Sequence, residues 1–128
     1  MRIEVKTVGL PELKKKLGFL PQRVIDVTQA ALYQEGELIM TEAKKECPVD
    51  TGTLRSSGYT AKPKWDGARI VVELGFGGAA APYAVYVHER LDLRHTVGKA
   101  KYLEDPTMAA LPELPARLST AIRRELGR

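Results

Sequence analysis

The chain has 128 residues, 44% of them hydrophobic and 28% charged, which suits one globular domain with a sizeable core. Its net charge of +4 divides into +1 over residues 1–47, +1 over 48–87 and +2 over 88–128, so no basic block marks a dedicated nucleic-acid binder. No apolar run approaches the roughly 20 residues that cross a bilayer, no apolar leader opens the chain, and the lone Cys47 excludes an intrachain disulfide. We expect a single domain over residues 1–128, made in a reducing cytoplasm and without a membrane partner.

The first 20 residues predict a strand and a short helix. Residues 2–8 alternate apolar and charged side chains, which is typical of a half-buried strand. Residues 11–18 favour a helix in which Leu13 and Leu17 are spaced i,i+4 and Gly18 serves as the C-terminal cap.

A long amphipathic helix follows, opened by Pro21 and running to about Glu46. Its inward-facing stripe is Ile25, Leu32, Ile39 and Ala43, flanked by Val24, Ala31 and Leu38. At roughly 35–40 Å the helix is long for so small a domain, and Gly36 weakens it midway by up to about 1 kcal/mol relative to alanine. A helix of this length with few partners in its own chain often packs against a neighbouring subunit.

The next segment is predicted to form a β-hairpin. Residues 54–64 suggest a mostly polar first strand, Asp66-Gly67 a tight turn, and residues 68–76 a second strand. The second strand alternates strictly, and its apolar face carries Ile70, Val72, Leu74 and Phe76. Residues 2–8 and 54–62 are the two candidate exposed edges of the resulting sheet.

Two short helices are predicted near the C-terminus. Asp105-Pro106 has the form of an N-cap and first helical residue, opening a helix through Leu111, and a last helix runs to about Leu126. The segment at 83–89 fits either a helix or a strand. The whole pattern predicts an α+β fold: a small antiparallel sheet packed against one long helix, with short helices at the C-terminus.

A search for catalytic chemistry assigns no residue. His88, His95 and Asp92 are the only candidates for metal ligands, but H-E-x-x-H would require histidine at the position that Asp92 occupies. Cys47 lies before Pro48 at a helix end, which suggests a small buried side chain more than a nucleophile. We predict no enzyme activity, no catalytic residue, no cofactor and no metal.

The segment Pro48-Val49-Asp50-Thr51-Gly52-Thr53-Leu54-Arg55, here called the signature turn, lies where the long helix stops. Pro48 disfavours helical geometry at Cys47, and the side chains of residues 50 and 51 can bond nearby backbone N–H groups. Gly52 can take a positive φ at little cost, and Leu54 then returns the chain to the core.

The string C-P-V-D-T-G-T-L-R-S-S resembles the signature of the HK97 gp10-like family of tailed-phage neck and tail-completion proteins. Two further strings, P-Y-A-V-Y-V-H-E at residues 82–89 and G-K-A-K-Y-L-E at 98–104, resemble segments of the same family and occur in the same order. One departure is the insertion R-L-D-L-R-H at residues 90–95, where many relatives take a shorter path.

The resemblance implies a structural virion subunit of a tailed phage, prophage or gene transfer agent. It would assemble in the host cytoplasm into a homo-oligomeric ring at the head–tail junction, between head-completion or adaptor proteins and tail-terminator or tail-tube proteins. DNA would pass through the lumen without sequence-specific binding. The candidate subunit contacts are Glu35, Glu42 and Lys45 on the outer face of the long helix, and Tyr83, Tyr86, His88 and Glu89.

Two other functions stay open from the sequence. One is a small basic nucleic-acid-binding or toxin-like α+β domain, favoured by a pI of about 9.3. The other is a structural subunit from elsewhere in the particle, such as a tail terminator or minor capsid protein.

Overall fold

A computed structural model describes residues 2–19, 21–48, 52–77 and 101–126. Its elements, in chain order, are β1 (Arg2–Lys6), α1 (Leu10–Leu17), α2 (Gln22–Glu46), α3 (Thr53–Ser56), β2 (Tyr59–Thr60), β3 (Lys64–Trp65), β4 (Ile70–Gly75), α4 (Glu104–Ala110) and α5 (Leu114–Leu126). The predicted α+β class is confirmed, with a four-stranded antiparallel sheet, one long helix and short helices near the C-terminus.

The central strand of the sheet is β4. It pairs on one side with β1, from Arg2 opposite Gly75 to Lys6 opposite Val71, and on the other side with β2 and β3. Within the described residues β1 therefore forms one edge of the sheet, which was one of the two candidate edges.

The predicted first strand of the hairpin, residues 54–64, is wrong over most of its length. Residues 53–56 form α3, and the part of this segment that pairs with β4 is limited to the two short strands β2 and β3. The hydroxyls of Ser56 and Ser57 donate to the carbonyls of Thr53 (3.1 Å) and Leu54 (2.6 Å), and such local bonds compete with a strand ladder. Pro63, which has no N–H to donate, separates β2 from β3.

The core lies between one face of β4 and the inward stripe of α2. Ile70, Val72 and Leu74 are fully buried, as the alternation predicted. The stripe residues Ile25, Leu32, Ile39 and Ala43 are buried as well. The flanking Leu38 is instead half exposed, because it lies on the far edge of the helix.

The buried Gly36 lets α2 and the sheet approach closely. A methyl group at this position would lie 3.1 Å from Thr60 Cγ2 and 3.4 Å from Val72 Cγ2. The residue that weakens the helix in isolation thus serves its packing against β2 and β4.

The long helix has partners within its own chain, contrary to the expectation from its length. Helix α5 runs antiparallel along α2, with Arg117 Nε 3.0 Å from Glu35 Oε1 and Arg23 Nη2 donating to the Glu125 carbonyl at 2.9 Å. Helix α4 packs on α2 and lies beside Glu42 and Glu46 near the C-terminal end of that helix. It starts at Glu104, earlier than predicted, so Asp105 is not its N-cap. Pro106 still lies in the first turn, where its missing N–H leaves no bond unmade.

Helix α1 is attached to this body through few buried groups. Leu10 is its one buried residue, and it lies with Leu13 beside Val24 and Thr28 of α2 in an apolar cavity of about 390 Å³. Gly18 ends the helix at φ +80°, as predicted. None of the helices in the described ranges combines the length and apolar character needed to cross a bilayer.

Candidate functional site

The described part of the signature turn comprises Pro48 and residues 52–55; Val49, Asp50 and Thr51 lie outside the described residues. The N–H of Cys47 still bonds the Ala43 carbonyl at 2.9 Å, but the backbone of Cys47 is extended, so α2 ends before the proline as predicted. Gly52 has φ +80°, which confirms the predicted positive φ, and it starts α3. Leu54 is buried, as its return to the core required.

Arg55, at the end of the signature turn, bonds back to the residue that precedes the turn. Its Nη2 donates to the carbonyl of Cys47 at 3.3 Å, which is one of the acceptors left open at the end of α2. Cys47 is fully buried here, and this burial raises the pKa of its thiol from 9.0 to about 11, with the charge of Arg55 acting in the opposite direction. A protonated thiol is a poor nucleophile, so Cys47 fits the predicted small buried side chain.

The chain beyond the turn is fixed to the end of β4. Ser57 Oγ accepts the N–H of Gly77 at 2.9 Å. At Gly58 a methyl group would lie 2.7 Å from the Phe76 ring and 2.9 Å from Met40 Sδ, so only glycine lets the segment pass. The Phe76 ring in turn packs edge-on against buried Tyr102, with 4.9 Å between centroids. The signature turn thus joins α2, the sheet and the segment before α4.

The predicted contact residue Glu35 does not face solvent. Its side chain is 15% exposed and holds Arg117 of α5, so its first role lies inside the subunit. The sequence prediction failed here because polarity and helical spacing place a residue on a face without showing which element covers that face.

The other two predicted contacts on α2 are exposed. Glu42 and Lys45 form an i,i+3 ion pair at 3.0 Å, with 59% and 66% of their side chains exposed. Tyr83, Tyr86, His88 and Glu89 lie outside the described residues, as do His95 and Asp92.

Glu42 also lines a groove between the C-terminal half of α2 and α4, here called the α2–α4 groove, of about 580 Å³. Its acidic lining is Glu42, Glu46 and Asp105, and its apolar lining is Pro106, Met108, Ala109 and Ala110. Met108 is 59% exposed, a large share for an apolar side chain. This groove was not predicted from the sequence, in which the apolar Met108 on a short helix was the available signal.

The described part of the chain holds no group of three or more His, Cys, Asp or Glu side chains placed to bind a metal. The described surfaces of α1, α2 and α4 instead carry exposed apolar side chains close to charged ones. No protein-family model, curated protein or solved structure matched this chain in the comparisons.

Proposed function

We propose that this protein is a structural subunit of the neck of a tailed phage, prophage or gene transfer agent, where it helps to join the capsid to the tail. In this role it forms a ring with copies of itself. Head-completion or adaptor proteins contact one side of the ring, and tail-terminator or tail-tube proteins contact the other. DNA passes through the ring without being read.

The observation that carries the proposal is the signature turn. Its string resembles that of neck and tail-completion proteins, and it lies in this fold between a 25-residue helix and an antiparallel sheet. Gly52 and Arg55 have backbone and hydrogen-bonding roles there that explain why these residue types occur in the string. A subunit that binds neighbouring subunits in a ring needs a well-packed core and exposed surfaces that can form the contacts.

The test is removal of the protein from a particle-producing strain that encodes it. We expect DNA-filled heads and separate tails that fail to join, because the missing ring leaves the two halves without a common surface. Adding purified protein to the lysate should restore joined particles. Infectious, fully joined particles made without the protein would rule the proposal out. A particle reconstruction that locates the chain in another ring would instead favour a tail terminator or minor capsid protein.

The nucleic-acid alternative draws on one observation, the three consecutive exposed lysines of α1, Lys14, Lys15 and Lys16. If these and other basic side chains clamp phosphates, the logarithm of DNA affinity should fall with the logarithm of salt concentration at a slope of several units. We expect only weak binding with a shallow slope, because each strong phosphate contact would hinder DNA from sliding through a ring.

A further inference from the structure

The charges of the described helices are divided between the two ends of α2. Helix α5 runs antiparallel along α2, so residues 118–126 lie beside the first half of α2, where α1 also packs. This end, built from residues 10–34 and 118–126 and here called the basic end, carries six basic and three acidic side chains. The opposite end, built from residues 35–46 and 101–117, carries four basic and seven acidic ones. The charge is spread almost evenly along the sequence, so this separation is a result of the fold.

The basic end collects its cations from three helices around the apolar cavity beside α1. Three residues that line this cavity each have a basic neighbour in the sequence. These pairs are Leu13 with Lys14, Val24 with Arg23, and Ile122 with Arg123. The remaining three cations, Lys15, Lys16 and Arg124, follow directly on the same helices, and all six side chains are exposed. Three separate segments of the chain therefore form one basic surface.

The positive charge of this surface is not neutralised within the described ranges, where none of the six cations has a carboxylate partner. Arg23 bonds a backbone carbonyl and Arg123 bonds the hydroxyl of Ser119, both at 2.9 Å, and both partners are neutral. At the opposite end Lys45 and Arg117 are ion-paired. Helix dipoles favour cations in the last turns of α1 and α5, but they disfavour Arg23 in the first turn of α2. The dipoles alone do not account for the surface.

The arrangement of the cations suits a long polyanion better than a small anion. Consecutive residues of a helix point about 100° apart, so the lysines at 14–16 spread around α1 and do not converge on one point. None of the six cations is buried, whereas a site for a single phosphate needs enclosed donors. Double-stranded DNA carries a negative charge about every 1.7 Å along its axis, so cations that point in different directions can each meet a phosphate.

We propose that the basic end contacts the phosphate backbone of double-stranded DNA without reading its sequence. The inference rests on the proposed function and deepens it, because it names the end of each subunit that faces the DNA passing through the ring. Exposed lysine and arginine side chains make salt-sensitive contacts with phosphates. A subunit that meets about two phosphates at a time attracts the DNA and still lets it slide.

Two variants test whether the cations of separate helices act together. The α1 variant carries Lys14→Gln, Lys15→Gln and Lys16→Gln, and the α5 variant carries Arg123→Gln and Arg124→Gln. Binding to a fluorescein-labelled duplex of random sequence is measured by fluorescence anisotropy over a range of potassium chloride concentrations. We expect the logarithm of wild-type affinity to fall with the logarithm of salt concentration at a slope of about −2. Each variant should bind more weakly at low salt, with a slope shallower by about one unit.

The matched control removes three positive charges from exposed side chains outside the basic end, on and beside the strands β3 and β4. It carries Lys62→Gln, Lys64→Gln and Arg69→Gln. This control should bind DNA like the wild-type chain, because the net charge alone does not decide the contact. Circular dichroism establishes that each variant is folded. If the triple change unfolds α1, Lys15→Gln alone takes its place, with a smaller loss of affinity expected.

The proposal is overturned if the wild-type chain does not bind the duplex at low salt, or if the control loses as much affinity as the two variants. It is also overturned if only one of the two variants loses affinity, because the surface is then not shared between helices. Vesicles of anionic phospholipid provide the rival polyanion. Binding to these vesicles without binding to DNA would assign the surface to a membrane and contradict the proposal.

The same measurements separate this inference from the proposed function. If particles join without the protein, the neck assignment fails, and the DNA titrations still decide the role of the basic end. If joining requires the protein but both variants bind DNA as the wild-type chain does, the neck assignment stands and the DNA contact is wrong.

Discussion

At the scale of single residues, the buried thiol of Cys47 should lower the free energy of unfolding as the pH becomes alkaline. Its pKa is about 11 in the folded chain against 9.0 for a free thiol, because burial disfavours the thiolate. A pKa raised by folding stabilises the folded state fully below about pH 9, and this contribution is lost as the pH rises towards 11. Urea unfolding from pH 7 to 10.5 should show a steeper decline for the wild-type chain than for Cys47→Ala. Equal slopes would contradict the prediction.

Gly52 is the second residue whose backbone decides a local structure. Its φ of +80° is unfavourable for any residue with a side chain, although a methyl group would meet no atom within 4 Å. We expect Gly52→Ala to lower the free energy of unfolding by about 1 kcal/mol or more through backbone strain alone. Gly52→Asn is the matched control, since asparagine tolerates this conformation and should recover part of the loss. A thermal melt of Gly52→Ala that equals that of wild type would refute this account.

At the scale of elements, Gly36 sets the distance between α2 and the sheet. In an exposed helix Gly→Ala stabilises by about 1 kcal/mol, but here the new methyl would lie 3.1 Å from Thr60 Cγ2. We expect Gly36→Ala to be destabilising or neutral in the wild-type chain and stabilising in a Thr60→Ser background, which removes that methyl group. Chemical denaturation of the four proteins measures this coupling. If Gly36→Ala stabilises the wild-type chain, β2 can move away from the new methyl group without loss of stability, and the prediction is wrong.

The docking of α5 on α2 is the second prediction at this scale. The Glu35–Arg117 ion pair joins the helices at 3.0 Å and is largely covered on the Glu35 side. Glu35→Ala should therefore lower the free energy of unfolding by roughly 1 kcal/mol. Glu42→Ala should change it by less than about 0.5 kcal/mol, because its ion pair with Lys45 is exposed. Equal losses for the two variants, measured by urea titration, would argue against a role of the pair in holding α5.

The elements differ in how far the sequence could predict them. The helical period of α2 and the alternation in β4 are patterns within one short segment. They were therefore sufficient to predict that Ile39 and Val72 are core residues. The ion pair of Glu35 could not be predicted from the sequence, because its partner Arg117 lies 82 residues away in the chain. The segment after Gly52 forms a helical turn and not the predicted strand, because the hydroxyls of Ser56 and Ser57 bond backbone carbonyls three residues earlier, an effect that strand propensity does not include.

At the scale of the whole molecule, the weak attachment of α1 predicts uneven stability. One buried side chain holds this helix, whereas α2 contributes eight buried residues. We expect the amides of α1 to exchange with solvent much faster than those of α2 in the free subunit. Equal protection of the two helices in the free subunit would contradict this expectation.

The candidate site was only partly predictable for the same reason. Spacing showed that Leu13 and Leu17 share a face, and the turn chemistry showed the role of Gly52. Neither showed that the face of α1 stays open or that α4 forms a groove beside Glu42. Periodicity identifies side chains that point the same way, whereas the surface that covers them is a property of the assembled fold.

The pairing of β1 with β4 also determines when this chain can fold. β1 leaves the ribosome early, but its only described partner strand is synthesised after α1, α2 and α3, several seconds later at ordinary translation rates. Until β4 emerges, the apolar stripe of α2 has no sheet to cover it. The apolar stripe of α2 is therefore open to aggregation until β4 is made. Completion of β4 closes the sheet, and the core is complete only when Tyr102, Leu103 and Leu114 follow.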